Sequence, residues 1–209
     1  MRIKTFNRAD TALDEHYDLL AAGFDENETI SYSKELRGET NALKELAKMT
    51  ENIDKALIYA VDTDNYGIIK HSAAVFENGK LLGISDMTVS YSYDSYMPGA
   101  NGKLYDLKCG KIGVGLGDDI TSFELMRAFA ICGAEAVIIL QKSNTKEMSG
   151  ILIKAYAYLL GIPFMLIGKN SVIAADPQGK PVYGDENGIY ELMPANEYAL
   201  KTVKVRSTR

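Results

Sequence analysis

Short apolar runs alternate along this chain with segments of helical periodicity. Runs of two to six residues that are rich in branched or aromatic side chains and closed by turn residues predict buried strands. Intervals of three or four residues between apolar positions predict amphipathic helices. The strands are expected at 2–6, as a short edge strand, and at 56–61, 71–76, 81–84, 104–107, 136–140, 164–167, 171–175 and 181–183; the helices are expected at 12–17, 33–51, 122–132 and 149–160.

Turn signals set how these elements connect. Asn78-Gly79 between two apolar runs predicts a tight hairpin, and Asp176-Pro-Gln-Gly179 predicts a second one. Hairpins together with alternating strands and helices indicate an α/β layered fold with mixed sheets, in a single domain over 1–209. An unrelated flavodoxin-like domain would require an all-parallel sheet, which conflicts with both hairpins.

The amino-acid composition limits the classes of partner that are expected. The chain has 209 residues, 46% of them hydrophobic, a formal charge of −5 and a pI of 5.2. Nucleic acid and anionic bilayers both need a clustered basic surface, so neither is expected as a partner. Only 201–209 is locally basic, which predicts a solvated end or an edge strand. No apolar run of about 18 residues is present, so we expect a soluble, cytoplasmic protein.

The residues that commonly bind metals are few and scattered. Cys109 and Cys132 do not resemble a disulfide framework, and His16 and His71 are far apart in sequence. The aspartates at 62–67 suggest a calcium loop, but the terminal carboxylate that such a loop requires would fall on an alanine, so a turn is favoured. We therefore expect no metal site and no cofactor.

The segment 111–124 has the layout of an active-site motif: a strand, a tight turn and a helix. Gly113, Gly115 and Gly117 alternate, which leaves one face of the strand bare for something to approach closely. Thr121 and Glu124 predict a capping box, and the pair 118–119 precedes the positive end of the helix. The spacing fits neither the dinucleotide nor the P-loop pattern, and two aspartates would repel a phosphate, so nucleotide binding is disfavoured. The glycines could also simply permit close packing between helix and sheet.

The same residues resemble the nitrilase, or carbon-nitrogen hydrolase, superfamily. The resemblance is densest at 111–140 and extends over about 33–185, including the hairpin at 72–83, a Pro-Gly loop at 97–99 and the late hairpin at 168–179. It rests on Lys111-Ile-Gly-Val114, Asp119, Phe123, Glu124, Arg127-Ala-Phe-Ala130 and Gly133-Ala134. It implies an α-β-β-α sandwich with two mixed β-sheets, shortened at the N-terminus.

Members of that superfamily use a cysteine nucleophile, a glutamate base and a lysine that stabilises the oxyanion. By the resemblance, Gly117 stands in the place of the cysteine. Met87 stands in the place of the lysine, or Asp86 if the register slips by one. Phe24 stands in the place of the glutamate, with Glu26 and Glu28 as alternatives.

A second family carboxylate is matched by Asp94. Cys109 lies over 20 Å from position 117 if the segment is extended at about 3.3 Å per residue. Cys132 is expected to be buried on the apolar side of its helix and unreactive. Neither thiol can therefore replace the missing nucleophile.

Two hypotheses follow from the resemblance. The first is a nitrilase-fold protein without amide-hydrolysing activity, with a binding or assembly role, a small-molecule ligand and a homodimeric state like its relatives. The second is a hydrolase of altered chemistry that acts on a small amide-like substrate through the remaining acids Asp94, Asp118 and Asp119. A cavity filled by Phe24, Met87 and tyrosines would support the first, whereas paired acids or a bound divalent ion would support the second.

Overall fold

The computed structural model describes residues 1–6, 16–24, 29–90, 96–100 and 102–194. The strands are β1 (Arg2–Phe6), β2 (Leu19–Ala22), β3 (Thr29–Ser31), β4 (Ala56–Asn65), β5 (Ile68–Glu77), β6 (Lys80–Asp86), β7 (Lys103–Leu107), β8 (Gly110–Leu116), β9 (Ala136–Leu140), β10 (Phe164–Ile167), β11 (Val172–Ala175), β12 (Pro181–Val182) and β13 (Ile189–Glu191). The α-helices are α1 (Tyr32–Leu36), α2 (Ala42–Lys48), α3 (Phe123–Ile131) and α4 (Glu147–Leu160), and a 3₁₀ helix spans Gly117–Thr121.

These strands form two mixed sheets. The first has the order β13-β1-β2-β4-β5-β6, with β3 pairing beside β4, and the second has the order β12-β11-β10-β9-β8-β7. In each sheet a parallel centre, β1-β2-β4 or β8-β9-β10, is extended by antiparallel neighbours. The hairpins that the sequence predicted are therefore at the flanks, which excludes an all-parallel sheet.

Three apolar layers hold the sheets and helices together. Alternate residues of β4 point to opposite faces, so Ile58 and Ala60 pack between the two sheets while Leu57 and Tyr59 pack toward α2. On the far side of the second sheet, Ile139 and Phe164 pack against α3 and α4. The result is an α-β-β-α sandwich.

The alternating glycines of β8 serve helix packing. A Cβ at Gly113 would lie 2.8 Å from Cγ of Phe129 on α3, so the bare face lets the helix approach. The predicted capping box is wrong: Ser122 is the N-cap of α3 and accepts a hydrogen bond from the backbone N–H of Leu125. Thr121 instead donates its hydroxyl to the carbonyl of Asp118, at 2.6 Å.

Several predicted boundaries differ from the structure. The helix expected at 33–51 is two short helices, because Gly38 takes a left-handed φ of 71° between them. The helix expected at 12–17 falls mostly outside the described residues, and Tyr17 is not helical. β1 is not an edge strand, since β13 covers its outer side. The basic segment 201–209 also lies outside the described residues. None of the helices in the described ranges is long and apolar enough to cross a membrane.

Candidate functional site

The turn after β8 holds Gly117, which the sequence resemblance placed where the family's nucleophile is expected. Gly117 has a φ of 51°, in the left-handed region that favours glycine. A Cβ built on Gly117 would lie 2.7 Å from the sulfur of Met87, closer than real Cβ contacts occur. Met87 is only 4% exposed and packs into the layer between the sheets. The space that a side chain at position 117 would need is thus already occupied.

A cavity of about 210 Å³ opens beside this turn, between the ends of the two sheets. It brings together four residues that the sequence singled out: Phe24 after β2, Met87 after β6, and Gly117 and Asp118 after β8. The remaining lining residues are His71, Tyr96, Gln141, Lys142 and Ser143. Its position at the carboxyl ends of β2, β8 and β9 is where ligands commonly bind in α/β proteins.

A second, larger depression of about 710 Å³ lies elsewhere, along β1 and β13. It includes Arg2, His16, Tyr183 and Glu191 but no residue of the 111–124 motif. We place the candidate site in the smaller cavity because the chemistry, rather than the volume, is concentrated there.

The other predicted acids do not converge on the cavity. Asp86 points away and binds the ammonium of Lys70 at 2.7 Å and the hydroxyl of Ser72 at 2.8 Å. Met87, rather than Asp86, is therefore the residue of this pair that lines the cavity. Asp94, Glu26 and Glu28 lie outside the described residues.

Asp119 is buried beneath the turn, with 1% exposure. Its carboxylate accepts hydrogen bonds from the backbone N–H groups of Thr88, Val89 and Leu116 and from the Thr88 hydroxyl, at 2.7–3.0 Å. Burial raises the pKa of Asp119, although these four bonds oppose the shift. Asp119 ties the residues after Met87 to the turn and so fixes the two against each other.

The most organised polar group of the cavity is centred on Asp62 and was not predicted from the sequence. Asp62 and His71 lie directly opposite each other in the β4–β5 register, and Nδ1 of His71 is 2.6 Å from Oδ1 of Asp62. The ammonium of Lys142, just after β9, donates to Oδ2 of Asp62 at 2.6 Å. The Tyr96 hydroxyl donates to the same oxygen at 3.4 Å. Asp62 itself is 5% exposed, beneath residues that line the cavity.

The charges in this group support one another. Burial alone would raise the pKa of Asp62, but the bonds from His71 and Lys142 outweigh it and hold that pKa below its usual range. Burial would lower the pKa of Lys142, and the bond to Asp62 outweighs this effect, so that the pKa is raised. Asp62 is therefore an anion that can only accept, and Nδ1 of His71 must carry the proton between them.

Aromatic rings hold the imidazole in place. The ring of Tyr96 stacks on His71 with 3.7 Å between centroids, and Phe24 meets it edge-on at 5.3 Å. This packing fixes the ring's orientation and leaves His71 on the cavity wall.

One false expectation hid this group. The aspartates at 62–67 predict a turn, but β4 continues to Asn65 and the chain reverses only at Tyr66-Gly67, both at positive φ. Placing the reversal there aligns Asp62 with His71. Lys142 is 80 positions away and could not have been paired with them from the sequence.

Neither thiol lies on the cavity. Cys109 is in the turn between β7 and β8, at the opposite end of β8 from Gly117, and burial raises the pKa of its thiol to about 11. Cys132 is exposed at the C-terminus of α3, so the expectation that it is buried is wrong. It follows the last helical residue and therefore escapes the apolar face of α3. Among the described residues, no three histidine, cysteine or acidic side chains group as metal ligands.

No protein-family model matches the chain, and no curated protein sequence does. Several solved structures are similar to it. Nit3 of Saccharomyces cerevisiae, a member of branch 10 of the nitrilase superfamily, is 21% identical over 83% of this chain and 75% of its own, with a TM-score of 0.69.

Two structures of an amidase from Nesterenkonia sp. AN1 are also similar to this chain. Each is 17% identical to it over 91% of this chain's length, with a TM-score of 0.70. One is a variant in complex with butyramide, of which 89% is covered. The other, of which 88% is covered, shows covalent addition of the acetamide moiety of fluoroacetamide at the active-site cysteine. At these identities the likeness concerns the fold, and the chain has the fold of the nitrilase superfamily.

Proposed function

We propose that this chain is a nitrilase-superfamily pseudoenzyme, which binds a small molecule in the cavity beside Gly117 and does not hydrolyse amides or nitriles through a thiol. The observation that carries the proposal is the contact between Gly117 and Met87. Thiol catalysis needs a cysteine at the turn with open space before it. Here the turn residue has no side chain, and a methionine sulfur lies 2.7 Å from where one would begin.

The rest of the cavity supports the same reading. Phe24 stands in the place of the family's glutamate and Met87 in that of its lysine, and both line the cavity wall. Neither can move a proton or stabilise an oxyanion. Apolar and aromatic walls with a few polar groups are typical of small-molecule binding sites.

The alternative, a hydrolase of altered chemistry that uses Asp94, Asp118 and Asp119, has weaker support. Asp118 lines the cavity, but the oxygens of Asp119 are committed to Thr88, Val89 and Leu116. A pair of acids that shares one proton or one water molecule needs two carboxylates facing the same space. The described residues supply only one of these three to the cavity.

A homodimer is part of the proposal. Helix α4 has an exposed apolar stripe along one face. Its later members lie 3, 10 and 11 residues after the first, a spacing that places all four on the same side of the helix: Met148, Ile151, Tyr158 and Leu159. These side chains are 54–62% exposed in the single chain. Exposed apolar surface of this kind is typical of an association face. We also propose a cytoplasmic location, in line with the expectation from the hydrophobic pattern of the sequence.

The experiment is a ligand titration followed by NMR, with ammonia release measured in the same samples. Butyramide, butyronitrile and carbamoyl compounds are added to the ¹⁵N-labelled chain. We expect saturable shifts at the amides of Gly117 and Asp118, no comparable shifts at Gly184 in the larger depression, and no ammonia. Shifts confined to Gly184, or ammonia release that requires a cysteine, would contradict the proposal.

A further inference from the structure

We propose that the group formed by Asp62, His71 and Lys142 is a binding site for small monocarboxylates, which bind as anions together with one proton taken up by His71. The inference rests on the proposed function, because it names the ligand class of the same cavity. It goes beyond the family's catalytic residues, since none of the three occupies a position that the resemblance assigned.

The hydrogen bond to Asp62 determines which nitrogen of the neutral His71 ring carries the proton. Nδ1 donates to the anionic carboxylate of Asp62 at 2.6 Å, so in the neutral ring Nε2 has a lone pair and no proton. No hydrogen bond to Nε2 occurs within the described residues, and the His71 ring lines the cavity. The side chain is 15% exposed, so a ligand in the cavity can reach it. His71 therefore offers the cavity a proton acceptor that becomes a cationic donor once protonated.

The charges of Asp62, His71 and Lys142 can balance that of a bound carboxylate. Asp62 and Lys142 already neutralise each other across 2.6 Å, so the unliganded group with a neutral imidazole carries no net charge. A carboxylate entering as an anion would add one negative charge, and protonation of Nε2 would add one positive charge. The liganded group then holds two anions and two cations in alternation, an arrangement that a buried site tolerates because every charge has an opposite partner.

Lys142 and protonated His71 are the hydrogen-bond donors that line the cavity beside Asp62. The side chain of Lys142 is 30% exposed, and its ammonium has three protons: one is given to Asp62 and one to the Tyr96 oxygen, which leaves the third for a ligand. Protonated His71 and Lys142 both contact Asp62 and both line the cavity, so one ligand carboxylate can meet both donors. Asp118 lies on the cavity wall as well, which favours the His71 and Lys142 side for an anionic headgroup.

The remaining walls select the rest of the ligand. Phe24, Met87 and Tyr96 present apolar surface that suits a short alkyl chain. A volume of about 210 Å³ is below the roughly 300–1,000 Å³ of sites for drug-sized ligands, which restricts the ligand to a few heavy atoms. A short-chain carboxylate fits this size and polarity.

Proton uptake makes the binding depend on pH. The charged and titratable groups that face His71 are Asp62 from β4, Lys142 after β9, Tyr96, which stacks on the ring, and Asp118 across the cavity. Phe24, which packs on the ring edge, and Met87 are apolar. Asp62 stays an anion near neutral pH, so a proton gained there on binding goes to the imidazole.

The test compares butyrate with butyramide by calorimetry. The two have nearly the same shape and differ in charge. We expect butyrate to bind about tenfold to a hundredfold more tightly, the range for one or two charge-assisted hydrogen bonds. Titration in buffers of different ionisation enthalpy should show uptake of about one proton per butyrate, and NMR should show the His71 ring becoming protonated on binding.

Two variants and a control complete the design. Lys142→Met and His71→Gln should each weaken butyrate binding about tenfold or more, whereas Lys154→Met on the exposed side of α4 should not. Equal affinity for butyrate and butyramide, no proton uptake by the wild-type chain, or no saturable butyrate binding at millimolar concentration would each overturn the inference. The wild-type measurements decide it even if a variant fails to fold. Butyramide binding without hydrolysis would leave the proposed function standing after such a failure, whereas thiol-dependent ammonia release would overturn the proposed function instead.

Discussion

The sulfur of Met87 lies 2.7 Å from the point where a side chain on Gly117 would begin. The two residues come from different sheets and are joined through Asp119, which binds the backbone on both sides of the contact. A side chain at position 117 would therefore need Met87 to move.

Gly117→Cys alone should not create an amidase. The new side chain would meet Met87, and a non-glycine residue at a φ of 51° costs about 1–2 kcal/mol. No glutamate or lysine lines the described cavity in the expected places to activate a thiol there. Urea unfolding should show the loss of stability, and assays with butyramide should show no ammonia.

The control for that variant is Gly117→Cys with Met87→Ala. Removing the thioether opens the space, so the double variant should accommodate the thiol and still fail to hydrolyse butyramide. Measurable turnover by either variant would mean that the lysine or the glutamate equivalent has been misplaced.

Gly113→Ala should destabilise the fold by about 1–3 kcal/mol, because its Cβ would lie 2.8 Å from the buried ring of Phe129. Gly150→Ala is the matched control. Position 150 lies within α4, where an added Cβ meets only Ile173 at 3.5 Å, so this change should stabilise by up to about 1 kcal/mol. Equal effects in thermal or urea unfolding would refute the close approach of α3 to β8.

Asp62→Asn should lower the free energy of unfolding by about 2 kcal/mol at neutral pH, since it removes the charge that His71 and Lys142 share. The folded-state pKa of Asp62 is below its unfolded value of about 3.9. Its contribution is therefore complete above about pH 3.9 and is lost as the pH falls through the folded-state pKa. The difference between wild type and variant should therefore shrink as the pH falls below about 4.

Asp54→Asn provides the comparison for Asp62. Asp54 pairs with Lys108 on the surface, with 79% of its side chain exposed. Surface ion pairs contribute little, so this variant should remain close to wild type across the same pH range. A difference for Asp62→Asn that does not shrink below about pH 4 would contradict the assigned charge state.

Substitution of the α4 stripe should change the state of association. Ile151→Glu with Leu159→Glu places two charges on the exposed apolar face and should convert a dimer into a monomer without loss of folding. Sedimentation velocity of the wild-type chain and the variant measures this directly, with Lys44→Glu on the exposed side of α2 as a control away from the stripe. A wild-type chain that is monomeric at high micromolar concentration would refute the dimer.

Local signals explain how much the sequence could predict. Asn78 and Gly79 adopt φ values of 52° and 72°, as the Asn-Gly hairpin requires, and Gly161 ends α4 in a left-handed conformation at 69°. Such features depend on one or two residues and are legible without tertiary context. Buried strands such as β9 were equally clear, because five consecutive apolar residues admit little else.

The polar group of the cavity depends on contacts between distant parts of the chain, so it could not be predicted from local sequence signals. Aspartate is rare in strands, so the pattern around Asp62 indicated a turn, yet pairing along ten residues of β5 keeps β4 extended to Asn65. The third member, Lys142, meets Asp62 only because the two sheets pack face to face. Tertiary packing overrode local preference here, and that packing also placed His71 beside Phe24 and Tyr96.

The most direct test of the central claim is ammonia release from butyramide by the wild-type chain and by Cys109→Ala with Cys132→Ala. Cys109 is held largely protonated by its pKa of about 11, and Cys132 lies at the end of α3 away from the cavity. We predict no turnover above background by either protein, while NMR shows butyramide bound at Gly117. Turnover by the wild-type chain that disappears in the cysteine-free variant would contradict the account.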